Sequence, residues 1–246
     1  MSSDLYGVHS GGPDLSYVES RLHRLFKQQG VMPGPADFGT DAKPVPVRPI
    51  VLVFGRPSSK VFQEEFLHER AYYHLRSGDN VELFYMGYTN SSQLPDPSEP
   101  SFFDENGFSD TYFVSALEDI ERRTTWKYTG GTDLILLNSC WAPPRHERVV
   151  YIPEVRLDFS ATLVLNLERA LNAKLIPSGR FLIETIMRRS REYPAQDVVL
   201  TVSDEIVLKS AGRSLFEWIA SVFKLKVDDL TNVLRGIVTD ISKKPA

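Results

Sequence analysis

A single cysteine, Cys140, stands in 246 residues, so the chain holds no internal disulfide, which fits a reducing compartment. No apolar run approaches the ~20 residues that a bilayer-spanning helix needs. The first residues, Met1-Ser2-Ser3-Asp4-Leu5-Tyr6, lack a basic region followed by an apolar one, so no secretory signal is expected. The expectation is a cytoplasmic protein that does not engage a membrane. Positive charge is not in excess: the net charge of −4 weighs against an extended nucleic-acid surface. Also missing are a paired-histidine zinc motif, a nucleophile elbow, a Walker lysine, a three-glycine dinucleotide fingerprint and any internal repeat. With no residue set converging on a known reaction, the sequence assigns no cofactor and leaves open whether the chain is an enzyme.

What is present is the composition of a globular protein, with 42% hydrophobic and 24% charged residues. The central stretch runs from Val47 to Thr89. Ile50 to Phe54 are five consecutive apolar residues that do not alternate with polar ones, the pattern of a strand buried on both faces. A Gly55-Arg56-Pro57-Ser58-Ser59 turn, a helix with Phe62, Phe66, Tyr73 and Leu75 on one side, and a second strand near Val81 to Tyr88 complete a βαβ unit. Asp133 to Asn138 supply a second continuous apolar run and so a second interior strand. The pattern predicts an α/β domain over 47–246, with a mainly parallel sheet flanked by helices and an α-helical C-terminal part. An N-terminal helix and a proline-rich linker occupy 1–46.

That helix starts at Asp14 or Ser16 and carries Val18, Leu22, Leu25 and Phe26 on one face; Pro33, Pro35, Pro44, Pro46 and Pro49 then mark an extended tether. The helix either lies back on its own domain or docks on a partner. Further along, Ser109 or Asp110 caps a helix to about Thr125, and Val149 to Ile152 form a strand candidate. Ser160 opens a helix through Leu171, Pro177-Ser178 another, and Val198–Val202 with Glu205–Leu208 read as two short strands in a hairpin around Ser203-Asp204, or as a strand and an extended loop. The last helix, with Leu230, Val233, Leu234, Ile237, Val238 and Ile241, bears a stripe broad enough to require burial under the sheet or against a second chain.

Two loops carry the candidate ligand contacts. Gly55, Ser58, Ser59 and Lys60 form a strand-to-helix turn whose free N–H groups and side chains suit a phosphate, although Ser58 or Ser59 also serves as a plain helix cap and Pro57 removes one donor. Asn138, Ser139, Cys140 and Trp141 follow the second interior strand, where ligands of open α/β sheets bind. Cys140 and His146 are spaced for a thiolate pair or for a buried thiol beside an exposed imidazole. Glu65 with His68 is half of a carboxylate-bridged metal pair, or a solvated helix face. Glu65 and Asp104 are the acid–base candidates. Arg180, Arg188, Arg189 and Arg191, with Lys174, make an anion or nucleic-acid patch or a dipole-matched helix end, nucleic-acid binding ranking below the two functions given next.

The succession of the Ser109–Thr125 helix, the Asp133–Asn138 strand and Ser139-Cys140-Trp141 resembles the TIR signalling fold, with the cysteine and tryptophan in reversed order and no helix after them. The resemblance is one of fold alone, and no site residue is carried over from it. Two functions follow as expectations. The first is a cytosolic accessory protein that binds other chains, or itself as a homo-oligomer, through its N-terminal arm and C-terminal helix. The alternative is an enzyme or sensor acting on a nucleotide or other phosphorylated small molecule at the strand ends.

Overall fold

The computed structural model describes residues 8–10, 15–31, 45–77, 80–88, 104, 107–142, 154–206 and 238–242. The strand that the apolar run predicts is β2, Val45–Phe54, with Ile50 to Phe54 all buried. Its flanking strands are β3, Glu82–Tyr85, and β4, Asp133–Ala142, every residue of which is buried. Outside these lie β1, Val8–Ser10, beyond β3, then β5, Glu154–Asn166, and β6, Val238–Thr239, beyond β4, giving the order β1-β3-β2-β4-β5-β6.

The α/β class holds, but the sheet is mixed, which corrects the expectation of a mainly parallel one. Strands β1, β3 and β2 run parallel; β4 runs antiparallel to β2, β5 to β4 and β6 to β5. An unbroken apolar run reports burial on both faces, which antiparallel strands under two helical layers share with parallel ones. The reversal has a visible cause. Helix α4, Asp110–Arg123, starts beside the end of β3, where Ser109 N–H donates to the Gly87 carbonyl at 2.8 Å. From Thr124 to Thr132 the chain is extended and doubles back along α4, with Tyr128 N–H reaching Glu121 at 3.1 Å. Nine extended residues span up to about 30 Å and α4 about 21 Å, so the chain regains its starting level before β4 begins. Asp133 therefore pairs with Phe54, and Trp141 with Val45.

Prolines inside β2 are tolerated because β3 pairs only with Ile50 to Val53. Pro46 and Pro49 lie where β2 has β4 alone as neighbour, and a bulge separates Pro46 from Arg48.

Helices cover both faces. Phe54 packs edge-on to Phe113 of α4 with ring centres 6.1 Å apart, while the next residue, Gly55, lies against Phe62 of the crossover. Successive strand residues point to opposite sides, so α4 and the crossover do too. The crossover comprises α2, Lys60–Phe62, a π-helical turn at Gln63–Leu67, and α3, Arg70–Ser77. With it pack α6, Gly179–Glu192, and beside β5 α5, Leu167–Asn172.

Helix α1, Leu15–Gln28, lies with α4 and β5, its Leu15, Val18, Leu22, Leu25 and Phe26 buried in the same core as the sheet. Its docking is reinforced at both ends: Asp119 accepts the Leu15 N–H at 2.9 Å, and Trp141 Nε1 donates to the Val31 carbonyl at 2.9 Å. Arg48 completes the joint, bonding Glu82 and, at 2.9 Å, Gln29.

Two further readings change. The helix expected from Ser160 is the second half of β5: Val155, Leu157 and Phe159 alternate with exposed or half-buried neighbours, the period of a strand, and the helix begins only at Leu167. The hairpin expected around Ser203-Asp204 is a helix, α7, over 195–206, with Val198, Val199, Val202 and Ile206 buried at helical spacing. The Val149–Ile152 strand candidate, His146 and the last helix as far as Ile237 lie outside the described residues, but Val238 and Ile241, expected on the stripe of that helix, are not helical: Val238 is in β6 and the Ile241 N–H donates to the Phe159 carbonyl at 3.2 Å. Among the described residues no helix is long and apolar enough to cross a membrane.

Candidate functional site

At the carboxyl end of β2 a cleft of about 500 Å³ is lined by Arg56, Ser58, Ser59, Thr129 to Gly131, Asn166, Glu168 and Arg169. Three connections build it: the turn after β2, the turn before β4, and the junction of β5 with α5. Ser59 caps the crossover by accepting the Phe62 N–H at 3.1 Å. Its hydroxyl also lies 2.9 Å from Thr132 Oγ1 and donates to Glu168 Oε1 at 3.2 Å. Glu168 accepts the Thr132 N–H with both oxygens at 2.9 Å. An added Cβ on Gly131 would fall 2.7 Å from Glu168 Oε2, so the missing side chain there lets this carboxylate close over the turn.

Across the cleft Asp133 accepts from the Thr129 N–H at 3.0 Å, the Thr129 hydroxyl at 2.7 Å and Asn166 Nδ2 at 3.0 Å. Asn166 Oδ1 caps α5 through the Arg169 N–H at 2.9 Å. Both inner carboxylates are thereby engaged with donors of the protein. The cations stand at the mouth: Arg56 pairs with Asp110 and lies 5.0 Å over the Phe113 ring, and Arg169 is exposed. Gly130 has a φ of +86°, and an added Cβ would meet nothing within 4 Å, so its backbone faces open space.

The structure brings Ser58 and Ser59 into this cleft and separates them from the other half of the predicted set. Gly55 is a glycine for packing: a Cβ there would fall 2.1 Å from Phe62 Cδ2. Lys60 is exposed, 3.7 Å from Glu64 and outside the lining. Asn138, Ser139, Cys140 and Trp141 lie within β4 near Val45 to Pro49, five registered pairs and about 17 Å from the Gly55 turn. Because β4 runs antiparallel, the carboxyl ends of the two apolar strands do not share a site.

Each of these four has a local explanation or none. The Ser139 hydroxyl donates to the Arg48 carbonyl at 2.8 Å; the Trp141 ring packs against His23 and Phe26 of α1; Asn138 Oδ1 is buried without a partner. Burial, and secondarily Asp158, pushes the Cys140 thiol up to about 12, the opposite of an activated nucleophile. Since the strand continues through Ala142, the resemblance to the TIR fold, in which cysteine and tryptophan follow the strand, does not extend to the structure.

Glu65 Oε2 accepts the Gly179 N–H at 2.7 Å at the start of α6, and Asp104 Oδ1 accepts the Phe108 N–H at 2.9 Å. The arginines of α6 are matched by carboxylates of their own neighbourhood: Arg180 with Glu184 and Glu69, Arg188 and Arg189 with Glu205 and Glu192. Arg191 donates to the Arg76 carbonyl at 2.9 Å.

Sequence reasoning missed Thr129, Asn166, Glu168 and Arg169. The Gly130-Gly131 turn was a visible signal, whereas Asn166 was hidden by reading 160–171 as one helix. Also unforeseen were two wholly buried phenols, Tyr85 and Tyr88, whose hydroxyls find no hydrogen-bond partner among the described residues. Burial raises both above the ordinary phenol range. No protein family, curated protein or solved structure matches the chain.

Proposed function

We propose that the chain binds a phosphorylated small molecule in the cleft at the carboxyl end of β2. The supporting observation is the meeting of Arg56 and Arg169 with the hydroxyls of Ser58 and Thr129 and the open backbone of Gly130 around one space. Exposed guanidinium groups supply charge and forked donors for phosphate oxygens, and hydroxyls and amides serve the polar remainder. The Glu168 and Asp133 carboxylates hold the three connections in place. Such an arrangement suits a sensor or a positioning domain; it places no nucleophile or free base against the ligand.

Thermal denaturation with a panel of sugar phosphates and nucleotides tests this reading. A ligand at 100 times its Kd adds about 2.7 kcal/mol, or about 5–10 °C in Tm for a domain of this size. Arg169→Ala should abolish most of that shift. A flat response to every phosphorylated compound, or a shift indifferent to Arg169→Ala, overturns it.

A second reading, an accessory protein that grips other chains, is supported by the broad apolar stripe of Leu230 to Ile237 in the sequence. It loses the N-terminal helix as a gripping surface, since the apolar face of α1 is buried against its own sheet.

A further inference from the structure

The cleft over Gly130 has a mouth and a floor of opposite hydrogen-bonding character. Its mouth holds donors: the Arg56 and Arg169 guanidinium groups and the Ser58 hydroxyl. Arg169 and Ser58 have no side-chain partner among the described residues. Its floor holds acceptors. Glu168 takes the Thr132 N–H on both oxygens and the Ser59 hydroxyl on Oε1 alone, so Oε2 keeps a lone pair. Asn166 directs its Nδ2 hydrogens to Thr129 Oγ1 at 2.8 Å and Asp133 Oδ1 at 3.0 Å, while its own Oδ1 takes only the Arg169 N–H. Thr129 Oγ1 donates to Asp133 and accepts from Asn166, which leaves it a lone pair and no hydrogen.

These groups border one space. The point where a Gly131 Cβ would stand lies 2.7 Å from Glu168 Oε2 and 3.1 Å from Asn166 Nδ2, so the glycine lets both side chains close over the turn. An ionised phosphate satisfies the mouth and offers the floor nothing, because its oxygens only accept. The floor calls for O–H donors beside the anion, and for several of them, since the spare lone pairs belong to separate side chains. A nucleobase adds little here. Among the described residues no aromatic or large aliphatic side chain lines the cleft, and bases bind chiefly by stacking on such faces when their edges are not read.

On the premise that the cleft binds phosphate, we propose that its ligand is a sugar or polyol phosphate and not a nucleotide, with the phosphate at Arg56 and Arg169 and the adjacent hydroxyls on Glu168, Asn166 and Thr129. Glu168 is then the residue that tells a polyol from a bare anion.

Isothermal titration calorimetry of the full chain with methyl phosphate, ribose 5-phosphate and AMP, in wild type and Glu168→Gln, tests it. Ribose 5-phosphate should bind the wild type about 10-fold tighter than methyl phosphate, and AMP no tighter than ribose 5-phosphate. Glu168→Gln should move two of the ligands in opposite senses. The sugar phosphate loses about 10-fold with its acceptor, whereas methyl phosphate holds or gains as a negative charge leaves the cleft. The proposal falls alone if methyl phosphate binds and ribose 5-phosphate binds no better, or if AMP binds about 10-fold tighter than ribose 5-phosphate. It also falls alone if Glu168→Gln, with its melting transition intact, spares ribose 5-phosphate or weakens both ligands alike. Failure of all three compounds to bind the wild type overturns phosphate binding together with it.

Discussion

Gly55 shows how one residue type can be read two ways. Its place between a strand and a helix suggests a phosphate turn, but its role is to leave room for the Phe62 ring, which would collide with any side chain there. Gly55→Ala is expected to destabilise the fold by about 3 kcal/mol, the upper range for overpacking a core. Urea unfolding checks it, and an unchanged midpoint would mean that the Phe62 ring is free to retreat. Gly130 and Gly131 have the complementary character, one because of its positive φ, the other because Glu168 approaches it. Chain order does not reveal which glycine is which, since the atoms that decide it are more than 35 positions away for Glu168. The same holds for Cys140: its neighbours in sequence advertise reactivity, and its burial denies it.

Among the elements, β2, β3, the crossover, α1 and α4 were legible from apolar pattern and capping residues, since Ser59 and Ser109 both cap as the sequence indicates. Strand direction was not, because burial on two faces leaves the same signature in either orientation. β5 was misread where Leu163, Val164 and Leu167 mimic helical spacing while Val155 to Leu163 already keep a period of two. Contacts between elements leave still less trace. Arg48 and Glu82 are a buried ion pair that ties β2 to β3, with Gln29 of the α1 end joined to it and the Phe26 ring 5.2 Å from the guanidinium. Arg48→Leu should cost about 3–5 kcal/mol by stranding the Glu82 carboxylate, and Arg48→Leu with Glu82→Leu should restore most of it. A loss in the double variant equal to the sum of the losses in Arg48→Leu and Glu82→Leu, measured by urea unfolding, would show that the pair is not coupled.

For the whole molecule, one continuous core includes α1, the sheet, α4, α6 and α7. The helix that precedes the proline-rich segment is therefore docked, and residues 15–31 belong to the body of the fold. A chain lacking residues 1–31 exposes the sheet face that Leu22, Leu25 and Phe26 cover, so it should bind a hydrophobic dye and lose cooperative melting. A truncated chain that melts as sharply as the parent would restore the free-arm picture. The reversal between β2 and β4 also separates the two described indoles. Trp126 packs 5.1 Å from Phe54 at the cleft end, and Trp141 holds Val31 at the other. In a Trp218→Phe background, replacing either by Phe leaves the fluorescence of the other to speak for its own end, so helix undocking and ligand arrival become separable optical events within one unlabelled chain.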